Sequence, residues 1–340
     1  MGLLDLFVAA SMPVLKVLLV TGLGLILALD RIDLLGDDAR KHLNNIVFFV
    51  FSPALVSSNL AKTITYESMK KLWFMPFNIL ITFIIGSILG WAVLQITRPS
   101  QHLRGLVVGC CAAGNLGNML LIIIPAVCKE KGSPFGDPGI CHTYGMGYAS
   151  LSMAQAHLGT KLKQYMENLS KKINLKTLLA PSTTGAIAGF IVGLVPQIRK
   201  LMIGDVAPLR VIENSAILLG DGAIPLLTLI MGGNLLKGLT GSGIQKSLLV
   251  GIIVVRYIIL PLIGIVAVKG AIRLGLVQHD PLYQFVLLLQ FALPPAMNIG
   301  TITQLFGAGE SECSVIMLWA YALASISLTL WTTFFMWLVA

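Results

Sequence analysis

Apolar runs of about twenty residues follow one another along almost the whole chain, separated by short charged turns. A run of that length is what a helix needs to cross roughly 30 Å of hydrocarbon. Ten such runs are read, at about residues 6–29, 43–61, 71–95, 103–128, 141–159, 177–197, 214–236, 246–270, 282–306 and 311–339. Only 11% of the residues are charged and 56% are hydrophobic, whereas soluble domains carry roughly 25% charged residues. A water-soluble fold of 340 residues could not hide so much apolar surface, so the chain reads as an all-α integral membrane protein with ten transmembrane helices. The formal net charge of +9 does not point to nucleic acid. Its lysines and arginines fall mainly between the apolar runs, where lipid headgroup contact and topology account for them. The first run is long and lacks a basic segment ahead of it, so it reads as a span rather than a cleavable signal.

The longest polar stretch, "TKLKQYMENLSKKINLK" at 160–176, divides the runs five and five. Two halves with an odd number of spans enter the membrane from opposite faces, which predicts two inverted five-helix repeats, the usual plan of secondary transporters. The expected organisation is a first repeat at 1–159, a polar cytosolic linker at 160–176 and a second repeat at 177–340. Matches in common order support it: Pro13 with Pro181, Pro53 with Pro225, and Asn59 with Asn234. "AGNLGNMLLI" at 113–122 lies over "LPPAMNIGTI" at 293–302, bringing Asn118 onto Asn298 and Asn115 onto Pro295. Tyr148 and Tyr321 also correspond.

Two of the spans carry residues that a continuous apolar helix would not choose. "VVGCCAAGNLGNMLLIII" at 107–124 holds Gly114, Asn115, Gly117 and Asn118 in its middle, and "QFALPPAMNIG" at 290–300 holds Pro294 and Pro295. The glycines weaken the helix through backbone entropy, and the prolines remove donors and clash with the preceding turn. Both spans, the fourth and the ninth, are therefore expected to unwind near the membrane middle and to cross there. Irregular backbone at that depth survives only where protein or a wet cavity satisfies it. A half-helix that begins inside the membrane aims its N–H groups and positive dipole end inward. Two such ends, with the amides of Asn115, Asn118 and Asn298, predict an anion site without a resident Lys or Arg. Tyr148 and Tyr321 are the expected aromatic contacts for a flat substrate. The plainer reading of the same residues is a packing kink whose amides are satisfied by nearby carbonyls.

The order of these features resembles the auxin efflux carrier family of plants, and within it the PIN-LIKES branch. The resemblance is carried by "GNLGN", "FALPPAMNIG", "FFVFSPALVSSNLA" and a short central loop, and it covers essentially the full chain. Long-loop PIN relatives have a large hydrophilic segment there and an Asn-Pro motif where this chain has Gly114–Asn118. The resemblance implies a scaffold domain from spans 1, 2, 6 and 7, often with a homodimer contact, and a transport domain from spans 3–5 and 8–10. It implies indole-3-acetic acid carried as its anion, an elevator-like movement, and residence in the endoplasmic reticulum membrane with the central loop in the cytosol. The crossover residues it carries over are Asn115, Asn118, Pro294, Pro295 and Asn298.

No Ser/His/Asp set, paired acids or metal cluster lies at a common depth, so neither an enzyme, a cofactor nor a metal is expected. Neither broken span contains the carboxylate that a proton or sodium antiporter would use. Asp221 is the acid that reads as lying well inside a span, as a structural partner of Lys16 or Arg256 or as a coupling group. Lys16 and Arg256 are otherwise expected to snorkel to the interface. Tyr144, Ser150, Ser152 and Ser325 are further lining candidates, and Gln290 and Gln304 flank the second break. Cys110 and Cys111 read as packing residues. Cys128 and Cys141 flank one Gly/Pro-rich loop and are expected to stay unpaired, because nothing in the sequence fixes the redox compartment. Competing functions are a sodium- or proton-coupled carrier of another small carboxylate, and a membrane auxin receptor that does not transport.

Overall fold

The computed structural model describes residues 3–130, 132–167, 181–204, 206–239, 244–297, 299 and 309–340. Its helices are α1 Leu3–Leu27, α2 Asp37–Ile46, α3 Ser52–Thr63, α4 Tyr66–Lys71, α5 Phe74–Thr97, α6 Arg104–Ala112, α7 Asn118–Lys129 and α8 Pro138–Glu167. They continue with α9 Pro181–Leu194, α10 Pro196–Met202, α11 Arg210–Asp221, α12 Ala223–Leu239, α13 Lys246–Val254, α14 Leu260–Arg273, α15 Pro281–Leu289 and α16 Glu310–Val339.

The expected ten-helix bundle of two inverted five-helix repeats is corrected. Among the described residues six helices are long and apolar enough to cross a membrane: Leu6–Leu27, Asp37–Thr63, Phe74–Thr97, Arg210–Leu236, Lys246–Arg273 and Ser311–Val339. A seventh results if Thr184–Leu194 and Pro196–Met202, bent by 100°, count as one span. The physical reasons differ from run to run. The stretch read at 103–128 divides into α6 and α7, of 9 and 12 residues, each too short to cross alone. The run at 282–306 supplies only the 9 residues of α15 before its prolines, and residues 300–308 lie outside the described residues. Helix α8 has 30 residues but is interleaved with Gly, His, Thr and Ser. It also continues through residues 160–167 of the expected linker, whose remainder lies outside the described residues.

Two of the long spans contain the same local device. Helices α2 and α3 join through a π-helical turn at Val47–Phe51, and α13 and α14 through another at Val255–Ile259. A proline, Pro53 or Pro261, follows each turn by two residues. Proline has no N–H to give to the carbonyl four residues back, so the ladder loosens there. In the second case that carbonyl belongs to Tyr257, and the Trp331 indole N–H donates to it at 2.8 Å.

Helix α9 packs along α3, while α1 packs along α12 and α16. Gly185, Gly189 and Gly193 recur every fourth residue on α9, and a Cβ there would meet Pro53 O at 2.6 Å, Ser57 O at 2.8 Å and Ile64 O at 2.6 Å. This stripe of small residues lets two backbones touch, the usual means of helix association in lipid, where water expulsion gives no drive. Helix α15 is buried along nearly its whole length, from Leu282 to Leu289. A helix apolar on nearly all sides belongs in a core, and α7, α8, α14 and α16 pack around it.

Cys128 and Cys141 form a disulfide that joins the end of α7 to the start of α8, contrary to the expectation that they stay unpaired. Cys110, Cys111 and Cys313 are free and buried. Denatured protein labelled with a maleimide should therefore carry three adducts without reductant and five after reduction, counted by intact mass. A Cys128→Ser/Cys141→Ser double variant should melt at lower temperature in detergent, with a loss of roughly 3 kcal/mol as the scale for so short a loop.

Candidate functional site

The chain is unwound between Ala112 and Asn118, and it meets a second unwound segment after α15. Gly114 and Pro295 form an isolated antiparallel backbone bridge. Asn115 N–H donates to Pro294 O at 2.8 Å, and Ala296 N–H donates to Ala113 O at 2.9 Å. Each break therefore supplies the partners that the other lost by leaving the helix, which is the condition for irregular backbone at membrane depth. Pro294 and Pro295 cannot donate, so they suit positions where only carbonyls are needed.

Two side chains brace this pair of breaks. The Tyr321 hydroxyl donates to Pro295 O at 2.9 Å and accepts from Asn115 Nδ2 at 2.7 Å. Arg256, on the second π turn, is fully buried, and its guanidinium donates to Cys111 O at 3.2 Å and Pro294 O at 3.0 Å. Gly114 is required by this second brace, because a Cβ there would lie 2.7 Å from Arg256 Nη2. From sequence Gly114 reads as a residue of helix weakening and close approach, with no cation at the crossing for it to approach. A charge inside an apolar run was the available signal, and it had been assigned to snorkelling.

Helix α7 then starts at Asn118 with Gly117 as its N-cap, so no side chain caps it from that position. Asn115 Oδ1 accepts from Asn118 N–H at 3.2 Å instead. Among the described residues the N–H groups of Met119 and Leu120 have no acceptor, and the half-buried Asn118 amide has no hydrogen-bond partner. These free donors and the positive end of the helix dipole lie together.

A cavity of about 250 Å³ opens beside them, between α1 and α12 on one side and α7 and α16 on the other. Val17, Met119, Ile123, Met231, Tyr321 and Leu328 are among its walls. The walls are almost wholly apolar, and Thr21, which also lines it, has a buried hydroxyl with no hydrogen-bond partner. Ser325 reaches the same cavity but donates to Ala322 O on its own helix at 2.8 Å.

Tyr148 lies elsewhere. Its hydroxyl donates to Asp280 Oδ2 at 3.0 Å, and its ring meets Tyr283 edge-on at 5.5 Å. It lines a second, larger cavity of about 580 Å³ with Tyr144, Lys62, Lys71, Arg199 and Asp280. The two cavities share no lining residue, so the structure does not bring Tyr148 and Tyr321 together. Asp280 caps α15 by accepting from Leu282 and Tyr283 N–H. Arg199 donates to the carbonyls of Ala61, Lys62 and Ile64 and so closes the C-terminus of α3.

Asn298 and Gln304 lie outside the described residues. Asp221 is exposed at the end of α11 and pairs with neither proposed cation. Lys16 is paired with Glu130 at 2.5 Å instead. Gln290 does not line the path. It accepts from Asn78 Nδ2 at 2.7 Å and donates to Ser152 Oγ at 2.7 Å, bolting α15 to α5 and α8 through fully buried amides.

A multi-pass helical chain with two unwound segments paired beside an apolar cavity has the parts of a membrane transport protein. A family model described as "Membrane transport protein" matches residues 9–161 and 159–332. Protein PIN-LIKES 1 of Arabidopsis thaliana is 59% identical over 100% of this chain and 81% of its own length. Protein PIN-LIKES 3 of the same plant is 55% identical over 99% of each chain, and Protein PIN-LIKES 4 is 50% identical over 100% of each. The chain belongs to the PIN-LIKES family of membrane transport proteins.

The bond between the Asn115 amide and the Tyr321 hydroxyl is expected to hold the crossing, while the Tyr321 ring lines the cavity. Tyr321→Phe leaves the Pro295 carbonyl and Asn115 Nδ2 without a partner, a loss of roughly 1–3 kcal/mol when such groups are buried. Asn115→Ala should cost a similar amount, and the double variant should melt no lower than the worse single one, measured as thermal midpoint in detergent.

Proposed function

We propose that this protein carries auxin, as the indole-3-acetate anion, between the cytosol and the lumen of the endoplasmic reticulum. The observation that carries the reading is an apolar cavity lined by Met119 in the first turn of α7, the same turn that holds unused donors, namely the Asn118 amide and the first N–H groups of the helix. An aromatic ring suits the walls, and a carboxylate suits the helix end. The family supports the transport class, and the resemblance to auxin efflux carriers supports the substrate and the endoplasmic reticulum.

The movement belongs to the same proposal. The cavity lies between α1 and α12 on one side and α7 and α16 on the other, which also pack against each other beside it. Helices α1, α2 with α3, α9, and α11 with α12 would form a fixed scaffold, through which two copies would associate. The remaining helices would form the body that carries the crossing across the membrane, in elevator fashion. Because the breaks are bonded to each other, such a body can move without exposing their backbone groups. Asn118 and Tyr321 are the proposed cargo contacts near the crossing. Tyr148, with Tyr144, would meet the anion in the second cavity on its way in or out.

Radiolabelled indole-3-acetate uptake by the purified protein in sodium-free proteoliposomes tests this directly, with the membrane potential controlled. Saturable, potential-sensitive uptake is the expected result. Uptake that appears only with sodium, or only with a proton gradient, would replace this reading with a coupled carrier. Binding without counterflow would replace it with a receptor. Asn118→Ala should raise the half-saturating concentration about 5- to 150-fold, equivalent to about 1–3 kcal/mol of apparent affinity, if its amide holds the carboxylate.

A further inference from the structure

We infer that Arg256 is a tethered cation that takes the place of a free coupling ion at the crossing, so that the paired breaks hold together without sodium or any other dissolved cation. The inference rests on the carrier reading for its transport consequence only. Its structural part stands on the contacts alone.

Helices α6 and α15 both end at the crossing, and a helix C-terminus presents unsatisfied carbonyls and the negative end of its dipole. Such carbonyls, together with unwound backbone, are the groups that coordinate alkali cations at the broken helices of other carriers. Here the cation is already present and covalently attached. The guanidinium donates to Cys111 O in the last turn of α6 and to Pro294 O in the other break. Pro294 O also accepts from Asn115 N–H, so one oxygen ties the cation to the backbone bridge.

Nothing else neutralises this charge. Among the described residues no carboxylate pairs with Arg256, although the side chain is fully buried. A buried cation without an anion is costly unless oriented carbonyls replace its water. Its Nε atom has no partner. The placement thus serves the position of the charge more than the number of hydrogen bonds. Arg256 is not among the residues lining the apolar cavity, so it is a positioning residue and not a cargo contact. Gly114 belongs to the same device, because any larger residue would push Nη2 away from the bridge.

The test is Arg256→Met in the full-length protein, with thermal midpoints measured in detergent in choline, sodium, potassium and methylguanidinium chloride at equal ionic strength. The wild-type midpoint should not depend on which cation is present. The variant should melt lower in choline and recover, saturably, with methylguanidinium or sodium. In proteoliposomes its indole-3-acetate uptake should fall roughly tenfold or more in choline, the scale for a lost charged hydrogen bond, and return with the same cation. A variant that melts and transports like wild type in choline overturns the inference. So does a lowered midpoint that no cation restores, because lost packing alone explains it. If Arg256→Met does not fold, Gly114→Ala carries the same measurements, since it displaces the guanidinium and should create the same cation response. If wild type takes up no indole-3-acetate, the proposed substrate fails, while the midpoints still decide the role of Arg256.

Discussion

The rest of the molecule depends on how two interrupted helices dispose of their backbone groups in hydrocarbon. Each unmet N–H or C=O at that depth costs several kcal/mol, and water is not at hand to meet it. The answer is reciprocal: Ala113, Gly114 and Asn115 pair with Pro294, Pro295 and Ala296. Gly114 must be small and the opposing residues need not donate, so glycine on one side and two prolines on the other are complementary choices. Tyr321 and Arg256 then close the ends of this short ladder. The crossing is consequently a cross-linked unit rather than two loose loops, and any motion of α7 is coupled to motion of the chain after α15.

The surroundings divide by polarity. Near the crossing the cavity is apolar, with Thr21 as a solitary unpaired hydroxyl. The larger cavity carries Lys62, Lys71, Arg199, Asp280 and three tyrosines, several of them already engaged with helix ends or each other. Buried amides bind the helices that flank these spaces, as Asn78, Gln290 and Ser152 do between α5, α15 and α8. Rigid packing inside each group of helices and a cavity between groups is the arrangement that favours movement of whole bodies over local flexing.

Composition and run length made the membrane class legible, because burial of so much apolar surface has few other solutions. The disturbed stretches at 107–124 and 290–300 were legible as breaks, because Gly and Pro act on backbone locally. What did not follow was long-range. Span counting failed where an apolar run divides into short helices, since hydropathy carries no information about where the chain turns. Asn115 reads in sequence as an amide donor and Tyr321 as an aromatic contact, and nothing local shows that they bond to each other across 206 residues. Tyr148 and Tyr321 were paired by sequence position and lie in separate cavities. Arg256 was visible as a charge but not as a brace, because its partners are carbonyls, which every residue has.

The walls of the smaller cavity limit what it can distinguish. A surface of Val, Ile, Leu and Met responds to a ligand by area and shape, and one methylene more or less shifts affinity by roughly ten- to two-hundredfold at most. A hydroxyl added to the ring would likewise meet only weak rejection, since no buried polar group is left unpaired by its absence other than Thr21 Oγ1. A carboxylate placed at the start of α7 would, by contrast, forfeit both the dipole and its hydrogen bonds on losing its charge. Any acid that uses this cavity would thus be discriminated sharply at its carboxylate and only gradually along its ring.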